Sequence, residues 1–337
     1  MPTPRLESYP EGIEKMQRAL NALADHDDNY IDASASLGIK EGTFRHHVRS
    51  AQLLGMEPSQ KAAKPRIRVP ARSTYSPLPD GQWGKAITVA VIGCAHDSPD
   101  IPDKSRFTHI GRWLAELRSD VFIDLGDTVD LDSLSRHAMP GSLEDRNKPF
   151  FNKDIESVTE AYAAFDKEAP PATEVDRWHI DGNHEYRAVR FEEQNPSAQG
   201  VFTLMLDQVW ARFNFKTKRF KEWLYINGVG FTHAPINWIG KEYSGKQPDH
   251  NIANETTHSV VWSHTHKTAF VNRPKVGVGN AIQVYNTGSA MPMGYIKRYA
   301  GLSTTGWTYG VTELTLRDGQ IESYRRRSML ELAERYS

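Results

Sequence analysis

The 337-residue sequence predicts an α/β protein with a small helical unit at its N-terminal end. Three observations predict it. The continuous apolar run Ala86 to Ile92 has the character of a strand buried on both faces. A helix with Phe107, Ile110, Leu114 and Leu117 on one side follows, then a second apolar strand, Val121 to Leu125, which makes a βαβ beginning. Both strands stop at a glycine followed by polar groups, Gly93-Cys94-Ala95-His96-Asp97 and Gly126-Asp127-Thr128-Val129-Asp130. Ligands of open α/β sheets bind at such strand ends.

The helical unit comes first. Ile13, Met16, Leu20 and Leu23 recur at helical spacing, and a polar break follows at Asp25-His26-Asp27-Asp28-Asn29. A short helix through Ala33 and Ala35, a turn at Leu37-Gly38-Ile39 and a helix from about Gly42 to Leu54 complete it. Helix, short glycine turn, helix is the helix-turn-helix pattern, and residues 1–56 resemble such domains of transposase and regulator type. Phe44 and Val48 then point inward, while Thr43, Arg45, His46, Arg49 and Gln52 face outward as candidate DNA contacts. A three-helix docking or assembly module, giving a homo-oligomer, is the alternative.

Charge divides this region. Residues 1–39 hold three Lys/Arg against seven Asp/Glu, and residues 40–72 hold eight against two. Residues 57–84, rich in Pro, Lys, Arg, Ser and Ala, read as a semi-extended basic linker. Its Lys61, Lys64, Arg66, Arg68 and Arg72 suit phosphates without reading sequence.

The main domain spans 85–337. After a polar stretch at about 131–150 and a helix near 152–168, a third strand, Val175 to Ile180, runs into Asp181-Gly182-Asn183-His184-Glu185. Taken alone, that stretch fits a tight turn as well as a metal or phosphate site. Residues 202–220 are aromatic-rich and helical at first. Trp223–Ile226 and Val229–Thr232 form a hairpin across Asn227-Gly228, a strong turn dipeptide, and lead into His233. Val260-Val261-Trp262 ends at Ser263-His264-Thr265-His266. Strands at about 281–285, 307–316 and 320–326 follow, with Asp318-Gly319 as a turn, and a helix begins at Met329.

Composition sets the outer limits. With 25% charged and 39% hydrophobic residues this is an ordinary globular chain, and a net charge of -1 argues against a globally basic nucleic-acid coat. One cysteine excludes an internal disulfide framework and suits a reducing, cytoplasmic setting. No apolar run approaches a membrane span, and the N-terminus lacks a signal peptide's apolar core.

Five strand ends thus deliver Cys94 and His96, Asp127, Asn183 and His184, His233, and His264 and His266. Imidazole and carboxylate with one amide oxygen suit borderline to hard divalent ions, manganese first, with zinc, iron or nickel also fitting, rather than calcium.

The order of these motifs resembles the calcineurin-like metallophosphoesterase superfamily, whose signature is D-x-H, G-D-x-x-D, G-N-H-[DE], H and G-H-x-H. Here the positions are Cys94-Ala95-His96, Gly126-Asp127-Thr128-Val129-Asp130, Gly182-Asn183-His184-Glu185, His233 and Ser263-His264-Thr265-His266. Asn286-Thr287-Gly288-Ser289 matches the N-x-G-S element that often follows. The resemblance covers residues 85–327. It implies a four-layer α/β/β/α sandwich with two divalent metal ions at one edge. It makes Asp127 the bridging carboxylate, with His96 and His266 completing the first site and Asn183, His233 and His264 the second. A metal-bridged hydroxide then attacks the phosphorus, and His184, not a ligand, acts as the acid for the leaving oxygen. Asp130 or Glu185 would orient it.

Two positions depart from the signature. Cys94 replaces its first aspartate. Either a Cys94 thiolate ligates and favours zinc or iron, or Cys94 stays a thiol beside a first site that is weak, open or helped by Asp97 or Asp124. Ser263 replaces a glycine, a mild change.

The superfamily serves many substrates, so fold does not choose one. A helix-turn-helix, a basic linker and a two-metal site together lead to a DNA-directed phosphodiesterase, a nuclease. The pairing resembles DNA-repair exonuclease-like phosphoesterases of tailed phages and mobile elements. Arg187, Arg190, Lys216, Lys218, Arg219 and Lys221 offer a substrate groove or a solvated face. One alternative is a phosphatase or phosphodiesterase for a small molecule or protein. The other is a DNA-binding regulator whose active site Cys94 has degraded.

Overall fold

The computed structural model describes residues 10–26, 28–59, 84–276, 281–295 and 306–337. Contacts divide the chain into two units, Met1–Pro79 and Asp80–Ser337. Most of the expected 57–84 linker, including its five basic residues, lies outside the described residues.

In the first unit α1 (Pro10–Asp25), α2 (Tyr30–Ser36) and α3 (Glu41–Leu53) enclose Met16, Leu20, Leu23, Ala33, Phe44, Val48 and Ala51. Asn29 caps α2 by accepting from the N–H groups of Ile31 and Asp32. Gly38, at φ 66°, makes the turn before α3. Thr43, Arg45, His46, Arg49 and Gln52 are all exposed on α3. Arg45 is engaged within the unit, paired with Glu41 and lying over the Tyr30 ring.

The second unit begins with β1 (Ile87–Ile92), α4 (Ser105–Leu117), β2 (Val121–Asp124), a short α5 (Leu143–Arg146) and α6 (Phe151–Asp166). Then come β3 (Asp176–Ile180), α7 (Tyr186–Gln194), α8 (Val201–Arg212), β4 (Lys216–Lys218), β5 (Leu224–Ile226) and β6 (Val229–Phe231). After them run α9 (Pro248–Glu255), β7 (Val260–Trp262), β8 (Thr268–Pro274), β9 (Ala281–Thr287), β10 (Gly310–Arg317), β11 (Gln320–Ser328) and α10 (Met329–Tyr336).

The strands are divided between two sheets. One has the order β11-β10-β1-β2-β3-β4, parallel from β1 to β4. The other has the order β5-β6-β7-β9-β8, with β6, β7 and β9 parallel. β9 joins the second sheet, whereas β10 and β11 form an antiparallel extension of the first.

Four layers result. Phe107, Trp113, Tyr162, Phe165, Trp210 and Leu332 pack helices on the outer face of the first sheet. Val89, Val91, Ile123, Ile180, Phe231, Val261 and Tyr285 fill the space between the sheets. Ile252 and Ala253 of α9 cover the second sheet with Trp262 and Val284. This is the α/β/β/α arrangement anticipated, and it brings the C-terminal ends of β1, β2, β3, β6, β7 and β9 to one edge. Among the described residues no helix is long and apolar enough to cross a membrane.

Candidate metal centre

The loops after β1 and β2 are zipped together. Cys94 N–H donates to Gly126 O, His96 N–H to Asp127 O and Asp130 N–H to Asp97 O, each at 2.8 Å. Such side-by-side loops force unusual backbone. Five of the twelve non-glycine residues with positive φ among the described residues are Cys94, His96, Asp127, His264 and His266, at 45–77°. Each left-handed residue costs about 1 kcal/mol or more, and strain of that kind gathers at functional sites. The Asn286–Ser289 element steadies the loops, with Asn286 Nδ2 donating to Thr265 Oγ1 (2.8 Å) and Ser289 Oγ to Cys94 O (3.0 Å).

The loops bring every expected ligand together. His96 Nε2 and His266 Nε2 are 3.0 Å apart, and Cys94 Sγ belongs to the same close group. His233 Nε2 lies 3.1 Å from Asn183 Oδ1, 3.3 Å from His264 Nδ1 and 3.2 Å from Asp127 Oδ2. Asp127 Oδ2 stands between the two groups, 3.8 Å from His96 Nε2.

Outer hydrogen bonds set the tautomers. His233 Nδ1–H donates to Leu125 O (2.6 Å), His96 Nδ1–H to Asp130 Oδ1 (3.0 Å), and His264 Nε2 lies 3.5 Å from Glu242. The bonds of His233 and His96 leave the Nε2 of each ring as a lone pair aimed at the centre, as metal-ligating imidazoles require. Lone pairs of nitrogen and oxygen that face each other at such distances need a cation between them. Charge is tightly balanced here. Burial would raise the Asp127 carboxyl, but His233, then His184 and His96, hold it well below its ordinary range. Burial would lower His233, yet Asp127 and the bond to Leu125 raise it. Burial and the neighbouring His233 push His264 down to about 4. The donor set therefore fits divalent cations.

His184 sits beside the centre, its Nδ1 2.9 Å from both the carbonyl and the Oδ1 of Asp130. Its Nε2 is 3.2 Å from Arg187 Nη2. Asp130 thus touches both His96 and His184. Glu185, expected as a second orienter of His184, is instead spent on backbone: its two oxygens accept from the N–H groups of Asp127, Thr128, Val129 and Gly182 at 2.8–3.2 Å. It shapes the loop that carries Asp127.

Asp97 and Asp124, expected as helpers at the Cys94 position, are both committed elsewhere. Asp97 is buried against Lys104, Arg106 and Ser157. Asp124 accepts from Gly126 N–H, Thr128 Oγ1, Tyr162 and His179 behind the loop. The expected basic groove also divides. Arg187 reaches the site, whereas Lys216 pairs with Asp176 and Arg219 with Asp207 and Asp181.

Arg187 also lines a cavity of about 340 Å³ with Asp100, Asp132, His137, Lys148 and Tyr295. Glu242 is not visible in the sequence, since an acid twenty-one residues before a Ser-His-Thr-His stretch carries no local signal.

No protein-family model matches the chain, and no curated protein matches it. Solved structures do. A Streptococcus pneumoniae protein described as a predicted phosphoesterase is 11% identical, covering 72% of this chain and 99% of its own, at a TM-score of 0.30. Vacuolar protein sorting 29 of Cryptosporidium parvum is 14% identical over 73% of this chain and 100% of its own, at 0.35. A Pseudomonas putida nuclease, MPE, is 12% identical over 66% and 83%, at 0.32. At such identities and scores none lends this chain its activity, and the chemistry is read from the residues above.

Proposed function

We propose that the chain is a metal-dependent phosphoesterase of the calcineurin-like superfamily, and that its substrate is a phosphodiester in DNA. One observation carries the reading: two clusters of lone pairs converge on either side of Asp127 Oδ2. Cys94, His96 and His266 would hold one cation, Asn183, His233 and His264 a second, and Asp127 both. Such ions supply Lewis acidity at the phosphoryl oxygens and an activated water near neutral pH.

The remaining work falls to the chain's own groups. With Nδ1–H on Asp130, His184 exchanges protons only at Nε2, the atom that serves a leaving oxygen. Arg187, beside that atom, brings a buried guanidinium to a phosphate there. The exposed polar face of α3 supports DNA as the substrate, by holding the chain on DNA rather than by chemistry.

The test offers manganese- or zinc-loaded protein single- and double-stranded DNA, an aryl phosphodiester and an aryl phosphomonoester. DNA cleavage abolished in His184→Ala supports the proposal. Turnover of small esters with all DNA intact removes the nuclease part, and DNA retardation without any hydrolysis leaves only a binding protein.

A further inference from the structure

Between His233 and Glu242 the chain makes a tight hairpin. Ile236 bridges Glu242, Asn237 N–H donates to Lys241 O (2.8 Å), and Gly240 N–H donates to Asn237 O (2.9 Å). Asn237 Oδ1 accepts from the N–H groups of Ile239 and Lys241 at 3.1 and 3.0 Å, and Gly240 takes φ 79°. Local bonding therefore fixes the turn. Its two central residues are Trp238 and Ile239, exposed by 86% and 54%.

Among the described residues Trp238 is the most exposed large aromatic side chain. An indole left in water gains nothing for the fold, and this one stands on a stiff support. Both stems of the support end at the metal centre. His233 precedes it, and the Glu242 carboxylate lies 3.5 Å from His264 Nε2. From the Ile236–Glu242 bridge to Trp238 is two residues, roughly 7 Å of extended chain.

We propose that Trp238 is a stacking platform for an unpaired nucleobase next to the scissile phosphodiester, so that the substrate is a single-stranded nucleic acid. The proposal rests on the phosphodiesterase reading above. A phosphodiester bound at the centre carries its next nucleotide away from the metals, within reach of this turn. An unpaired base offers a free π-face to the indole, whichever base it is. A base inside a duplex has both faces covered by its neighbours. Lys241, exposed at the foot of the turn, adds charge for a flanking phosphate.

The test uses the full chain. Chelated protein is titrated with labelled oligo(dT) and with a blunt duplex, and metal-loaded protein is assayed on oligo(dT) and on an aryl phosphodiester. Trp238→Ala is expected to weaken oligo(dT) binding and raise KM on the order of 10-fold, with kcat and aryl-ester turnover unchanged. Trp238→Phe should restore most of the affinity, and duplex binding should not change. Unchanged oligo(dT) affinity in Trp238→Ala overturns the proposal. So does an equal loss for the duplex, or a change of oligomeric state by light scattering without one in oligo(dT) affinity. Trp238-dependent binding without cleavage removes the nuclease reading and keeps the platform, and cleavage indifferent to Trp238 does the reverse. Neither binding nor cleavage removes both.

Discussion

Cys94 and Ser263, the two positions that break the motif pattern, touch each other: Sγ and Oγ lie 3.0 Å apart. Ser263 Oγ–H donates to Gly288 O (3.0 Å), so the thiol is the donor within the pair, and Sγ in turn accepts from His264 N–H (3.2 Å). The second departure therefore serves the first. A glycine at 263 would leave the thiol without its acceptor.

A thiol so enclosed is chemically quiet in metal-free protein. Burial, then the Asp127 charge, push Cys94 well above the usual thiol range. Ellman's reagent at pH 8 should find no thiol in the native chelated protein and one after denaturation. A native thiol reacting within minutes contradicts this placement.

Gly182 faces the Asp127 side chain so closely that any Cβ there would overlap its carboxylate and backbone N–H. Gly182→Ala should therefore cost about 1–3 kcal/mol of stability and also displace the shared carboxylate. Thermal unfolding and bound-metal analysis should both fall. Full metal occupancy in the variant would show that the Asp127 loop tolerates the shift.

The convergence of these side chains was largely legible in the sequence because they follow apolar runs, three of which end in glycine, at Gly93, Gly126 and Gly182. Cys94, Asp127, Asn183 and His233 stand directly after β1, β2, β3 and β6, and the strand pattern alone delivers them to one edge. What it could not show depends on contacts between distant segments. Glu185 looks like a partner for its neighbour His184, yet loop closure turns it to four backbone N–H groups. The strand β8 leaves little trace in the sequence because, as an edge strand, it buries only Val271 and ends in exposed Asn272, Arg273 and Pro274. The helix α9 is short and polar, with Ile252 and Ala253 as its apolar contacts.

Behind the Asp127 loop, His179 is buried between Asp124 (3.0 Å) and Asp181 (3.4 Å) and stacked on Trp210. Burial alone would lower it, but the Asp124 charge and hydrogen bond, with the Asp181 carboxylate close by, raise it to about 10. A raised folded-state value stabilises the fold fully below the unfolded value near 6.5 and is lost as pH rises toward 10. Unfolding free energy should fall by about 1.4 kcal/mol per pH unit within that window from this group. His179→Gln should flatten the slope in denaturant titrations at pH 7, 8 and 9. An unchanged slope would mean the imidazole is neutral.

Arg49 and Gln52 lie on the exposed face of α3. If that face meets DNA, Arg49→Ala should weaken retardation and lower the salt slope of binding by about one, with aryl-ester turnover unchanged. Gln52→Ala should change sequence preference without changing the slope. Wild-type retardation in both variants would assign the three helices to assembly.

The central claim is a metal centre organised around Asp127. Chelated protein should be reloaded with manganese or zinc, and bound metal and aryl-phosphodiester turnover measured together in wild type and Asp127→Asn. Wild type should regain both bound ions and turnover, while Asp127→Asn should lose turnover with reduced metal. Turnover that survives chelation, or a reloaded wild type that holds no metal, would contradict the account.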